Sequence, residues 1–100
     1  MKDLKSLEIG ILYGGWSAER EISIKSGDTV LNCLLENGYK AKPIDLVSED
    51  IATKEKTYEG VDLAFILVHG RGGEDGFLQT FLDKINIPYT GSNALSSKLG

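Results

Sequence analysis

The chain has a single cysteine, Cys33, so no intramolecular disulfide framework exists, which fits a reducing cytoplasm. One cysteine and one histidine, His69, cannot make a zinc site of ordinary spacing. No run of Lys and Arg is longer than two residues and the formal net charge is −4. A nucleic-acid partner is therefore not expected. The longest apolar run, Leu63 to Val68, is far too short to span a bilayer. The opening MKDLKSLE carries charge but no signal-type apolar region, so no membrane partner is expected either. Repeats, low-complexity tracts and linkers are missing as well. What remains is one cytoplasmic domain of 100 residues, 41% hydrophobic, enough for a single core.

What is present is an alternation of apolar runs and helical patterns. Glu8 to Tyr13 is nearly all apolar and predicts a strand covered on both faces. It runs into Gly14-Gly15, and Ser17-Ala18-Glu19-Arg20-Glu21 opens a helix expected from about Ala18 to Asn37. Ile22, Val30, Cys33, Leu34 and Asn37 follow helical spacing, with Leu31 and Leu35 widening the stripe, so these residues are expected to be its buried face. Gly38 suits the left-handed position after a helix end. Lys40 to Leu46 predicts a second strand, at a sheet edge because Pro43 lacks a ladder N–H. Val47 to Gly60 reads as a weak helix or exposed loop. Val61 to Val68, the most apolar segment, predicts a central strand. The turn His69 to Gly76 precedes a helix from about Asp75 to Lys84 that buries Phe77, Leu78, Phe81 and Leu82. A short strand at Ile87 to Thr90 follows, and Gly91-Ser92 opens another helical pattern.

Strands alternating with helices predict an α/β fold with an open parallel sheet and helices on both faces. With the second strand at an edge, the order is 2-1-3-4. The direction of winding then reverses between strands 1 and 3, and the two glycine-rich turns flank one crevice there.

Neither turn matches G-x-G-x-x-G or G-x-x-x-x-G-K-[ST], so a phosphate site is disfavoured. Glu19 and Glu21 also place negative charge where an anion would otherwise bind. Two readings of Glu19 follow: it holds a cationic group such as an ammonium, or it complements the helix dipole with Ser17 as N-cap. His69, just past the third strand, is either a packed strand-end histidine or a hydrogen-bonding partner for a substrate carboxylate. Glu74 and Asp75 stand close enough in sequence to orient it, although Asp75 suits a helix N-cap better. Arg71 is expected to face solvent, and Gly72, Gly73 and Gly76 allow a sharp turn or a close ligand approach. Trp16 either shields a ligand or covers the strand edge. Ser92 and Asn93 read as cap and turn residues, and Cys33 as a small hydrophobe on the buried stripe.

These two turns carry a resemblance. YGGWSAEREISIKSG (Tyr13 to Gly27) resembles the opening motif of D-alanine–D-alanine ligases of the ATP-grasp superfamily. VHGRGGEDGFLQTFLDKINIPYTGS (Val68 to Ser92) resembles their second motif, in the right order and at the right separation. The resemblance implies a Rossmann-like (preATP-grasp) N-terminal domain spanning residues 1–100. It also implies an enzyme that joins two D-alanines for peptidoglycan, using ATP and Mg2+ through an acyl-phosphate on the first D-alanine. By motif, Glu19 would grip the ammonium of that first D-alanine and Ile22 would line its methyl pocket. His69 would lie near its carboxylate, with Glu74 supporting the histidine and Gly14, Gly15 and Ser17 completing the substrate pocket from the first turn. The family tends to dimerise through this domain, so a homodimer is an implied partner.

Trp16 departs from the family, which has a smaller or polar residue there, and Asn93 stands where glycine is common. The family continues past the position of Gly100 into domains that hold ATP, magnesium and a stabilising arginine. The 100 residues are thus expected to be the first-substrate half-site, inactive in ligation alone. Two other readings stand beside this one: another ATP-grasp carboxylate–amine ligase, or a stand-alone flavodoxin-like module that binds a small molecule without turnover.

Overall fold

A computed structural model describes residues 4–68 and 76–91. After a 3-10 turn at Leu4–Ser6, the chain runs β1 (Glu8–Gly14), α1 (Arg20–Glu36), β2 (Lys40–Leu46) and α2 (Glu49–Ala52). A 3-10 turn at Glu55–Tyr58 leads to β3 (Leu63–Ile66), α3 (Phe77–Lys84) and β4 (Tyr89–Gly91). The four strands form one sheet in the order β2-β1-β3-β4, with every pair parallel. This is the expected order, and Pro43 lies on the edge strand, opposite Ile11 of β1.

Alternation along the strands sorts side chains to two faces. Ile9 and Ile11 face one side with Leu63 and Phe65, under Val30, Leu31 and Leu34 of α1. Leu12, Ile44, Leu46, Ala64 and Ile66 face the other, under Ala52, Tyr58, Leu78 and Leu82. Helices therefore cover both faces. No helix among the described residues is long and apolar enough to cross a membrane.

The first helix is shorter than its pattern predicts and buries only part of the expected stripe: Val30, Leu31 and Leu34 pack on the sheet, the rest of the stripe does not. Its N-cap is Glu19, not Ser17, and its first helical residue is Arg20. Ser23 and Gly27 are its fully buried residues, while Ile22 is 60% exposed, Leu35 49% exposed, and Cys33 and Asn37 are exposed. Cys33 is thus not on a buried stripe. The physical reason is a close approach of helix to sheet: a Cβ on Gly27 would sit 2.9 Å from Cβ and Cγ of Tyr13. A helix that lies this near a strand must present small side chains at the point of closest approach, and Val30, Leu31 and Leu34 pack on the sheet around that point. Its far end closes as expected at Gly38, φ +84°, with the Tyr39 N–H bonded to the Leu34 carbonyl and the Gly38 N–H to Leu35. That is the Schellman pattern.

The segment Val47 to Gly60 is more than an exposed loop. The Ser48 hydroxyl caps α2 by accepting from the Ile51 N–H at 3.3 Å. Ala52 and Tyr58 are buried, and the Tyr58 hydroxyl donates to the Ala52 carbonyl at 2.6 Å. Burial pushes the Tyr58 phenol well above its ordinary pKa. At the third helix, Leu78 and Leu82 are fully buried, and Phe77 and Phe81 are partly so. The N-cap of α3 is Gly76 at φ +83°, in place of Asp75. The described strands β3 and β4 are trimmed to Leu63–Ile66 and Tyr89–Gly91, with Leu67 still bonded to the Leu12 carbonyl at 2.8 Å.

Candidate functional site

Both strand-to-helix turns emerge at the carboxyl ends of the central strands, where open α/β sheets hold ligands. β1 ends on Gly14, and Gly14 and Gly15 stand at φ +86° and +84°, a left-handed pair that side-chain-bearing residues rarely adopt. Space demands glycine as well: a Cβ on Gly15 would lie 2.7 Å from Cγ1 of Val68, and one on Gly14 would strike the Asp45 carboxylate. The first turn is therefore seated directly on Val68, the residue that precedes His69.

The second contact lies at the other end of that segment. Trp16 meets Phe77 edge to face, ring centroids 5.7 Å apart and planes at 80°. Residues 69–75 therefore leave from Val68, against Gly15, and rejoin at Gly76-Phe77, against Trp16. Trp16 thus ties the first turn to the start of α3 and packs on the core. His69, Arg71, Gly72, Gly73, Glu74, Asp75, Ser92 and Asn93 lie outside the described residues.

Two polar devices hold the first turn. Ser23, fully buried on α1, accepts from the Gly14 N–H at 2.8 Å and donates to the Leu67 carbonyl at 2.6 Å. One hydroxyl therefore satisfies a donor at the end of β1 and an acceptor just past β3. Arg20 grips Asp45 of β2 in bidentate fashion, Nη1 to Oδ1 and Nη2 to Oδ2 both at 2.8 Å, and its Nη1 also donates to the Gly15 carbonyl at 3.2 Å. Both side chains of the pair are about one-third exposed, 33% and 34%. Donating to the Asp45 carboxylate holds the Arg20 guanidinium above its ordinary pKa. Burial first, then the Asp45 and Asp28 carboxylates, push the Tyr13 phenol upward, against the pull of Arg20.

Glu19 stands between these devices. Its N–H donates to the Ser17 hydroxyl at 3.2 Å, its carbonyl accepts from the Ser23 N–H, and its side chain is exposed. Among the described residues nothing bonds the Glu19 carboxylate. Ile22, one helical turn on, is exposed and available to a ligand. Gly14, Gly15, Ser17, Glu19 and Ile22 are thus together on one turn and the start of one helix. Sequence reasoning missed Arg20, Ser23 and Asp45. Ser23 and Arg20 lie inside the recognised motif, but Asp45 carries no local signal, being 25 residues from its partner.

Among the described residues, no group of three His, Cys, Asp or Glu side chains comes together that could hold a metal ion. A cleft of about 530 Å³ is lined by Glu55, Lys56, Tyr58, Glu59, Ile85 and Ile87. It lies toward the amino ends of β3 and β4, the wrong end of the sheet for a ligand of this fold.

A family profile described as the D-ala D-ala ligase N-terminus matches residues 46–92. The D-alanine–D-alanine ligase of Mannheimia succiniciproducens is 48% identical over 99 residues, which is 99% of this chain and 32% of that protein. That of Geotalea uraniireducens is 54% identical over 97 residues, 97% of this chain and 31% of that protein. A crystal structure of D-alanine–D-alanine ligase from Bacillus anthracis superposes with a TM-score of 0.74 at 33% identity, covering 84% of this chain and 27% of that one. The chain spans about a third of the length of the curated relatives it matches. In sequence and in fold it belongs with the N-terminal domain of the D-alanine–D-alanine ligase family.

Proposed function

We propose that this domain supplies the first D-alanine site of an ATP-dependent ligase that joins two D-alanines. The observation that carries the reading is the seating of the Glu19-bearing turn on both ends of the His69-bearing segment: Gly15 against Val68 and Trp16 against Phe77. The comparisons fit this reading and not a stand-alone binding module, since each relative named above is a ligase.

The chemistry asks for a site that distinguishes the two ends of an amino acid. An exposed carboxylate at a helix start, bonded to nothing among the described residues, suits an ammonium. We assign Glu19 that role, with Ile22 beside the methyl group and Gly14, Gly15 and Ser17 shaping the turn. His69 near the substrate carboxylate and Glu74 supporting it complete the assignment. Holding the ammonium in an ion pair keeps that nitrogen protonated and non-nucleophilic. The carboxylate at the other end is then the group left to react.

ATP is the energy source in this reading; one of the Bacillus anthracis ligase structures is a complex with ATP. The described residues do not fit a nucleotide or Mg2+: the first turn is no phosphate loop and no acidic cluster forms. Both would be held by further domains of the longer chain. The 100 residues by themselves would bind but not ligate. In the full-length chain that carries this domain, Glu19→Gln should raise the KM for the first D-alanine about tenfold or more, ~1.4 kcal/mol of lost binding. Unchanged kinetics would remove Glu19 from the site.

A further inference from the structure

We propose that Arg20 and Asp45 are positioning residues for the first substrate, acting through Glu19. The inference rests on the ammonium role given to Glu19 above. An exposed glutamate binds a small ammonium well only if its backbone is already fixed, since ordering it on binding costs free energy. The Glu19 peptide lies between a left-handed glycine pair and the first turn of α1.

Arg20 supplies the missing constraint from the adjacent position. Its guanidinium turns back over the loop to the Gly15 carbonyl and hooks the Asp45 carboxylate on edge strand β2. Two parallel hydrogen bonds to a planar carboxylate fix direction as well as distance, which a lysine cannot do. The loop Gly15 to Glu19 is thereby tied down by one side chain, and β2 becomes its outer support. Gly14 leaves no room for a side chain beneath this pair, because a Cβ there would meet Asp45 Oδ1 and lie 2.6 Å from Arg20 Nη1. Loop, latch and strand are thus packed as one unit.

The test is steady-state kinetics for the first D-alanine in the full-length chain, with Glu19→Gln measured alongside. Asp45→Asn should raise KM about fivefold or more while kcat stays within about twofold, because the loss falls on placement of the ammonium partner. Arg20→Lys, which keeps the charge but not the fork, should do the same and covers the case in which Asp45→Asn fails to fold. Asp50→Asn, which breaks the exposed Lys54–Asp50 pair at 3.1 Å, should leave KM unchanged. If Glu19→Gln raises KM but neither Asp45→Asn nor Arg20→Lys does, the positioning role is wrong and the substrate assignment survives. If Glu19→Gln has no effect, the substrate assignment fails and the positioning role falls with it.

Discussion

The two faces of the sheet are packed by different means. Under α2, the 3-10 turn and α3, the sheet meets bulk: Leu12, Leu46, Tyr58, Leu78 and Leu82 are all essentially inaccessible. Under α1, Val30, Leu31 and Leu34 also cover Ile9 and Ile11, but the closest contact is made by absence of bulk, with Gly27 against Tyr13 and Ser23 against the ends of β1 and β3. The first face contributes most of the fully buried bulk, and the second adds placement to a smaller apolar cluster of Ile9, Ile11 and Leu67. The candidate site sits at the head of the second. A helix start can be brought close to two strand ends only if its first buried residues are small, and a buried hydroxyl there must be satisfied twice.

If this contrast is right, substitutions on the two faces should differ in size and in kind. The largest loss belongs to the bulky face: Leu78→Ala should destabilise by about 3 kcal/mol through lost transfer energy and a cavity. Urea unfolding with an unchanged slope checks it. On the thin face, Ser23→Ala should cost about 2 kcal/mol, because it strips the partner from both the Gly14 N–H and the Leu67 carbonyl. Amide exchange of Gly14 in this variant should accelerate more than that of Ala64, which keeps its bond to the Pro88 carbonyl. Gly27→Ala should lose about 1 kcal/mol net, the clash with Tyr13 outweighing the gain in helix propensity. A stabilised Gly27→Ala would show that the helix can lift off the sheet and that close approach is not required. The smallest effect belongs to Cys33→Ser, under about 0.5 kcal/mol at an exposed position.

That last expectation marks where sequence reasoning misplaced a residue. Periodicity of apolar side chains located the strands well, since a strand buried on both faces is recognised by its apolar run. The lone proline of the second strand was enough to put that strand at an edge, and the order of all four strands followed. The same criterion read α1 only in part: Val30, Leu31 and Leu34 do face the sheet, but the closest approach is made by a serine and a glycine, which no hydrophobic pattern marks. The turn at Gly14-Gly15 was legible from composition alone. The ion pair that supports it was not, since Arg20 and Asp45 are joined by the fold and by nothing local. Tyr58 was hidden likewise: one buried aromatic in a charged segment is weak evidence until its hydroxyl is seen on the Ala52 carbonyl.

Pro43 has a further consequence. A sheet of four parallel strands ends in two open edges, and an open edge is a template on which another chain can add a strand. The β2 edge is poorly suited to that. Pro43 interrupts its row of donors at the middle, Lys40 is exposed beside it, and the Lys42 ammonium folds over to the Glu59 carbonyl at 2.9 Å. Growth of the sheet from one molecule to the next is thereby discouraged on the side where Asp45 must stay available to Arg20. The residue that assigns the strand its place in the order also protects that place from self-association.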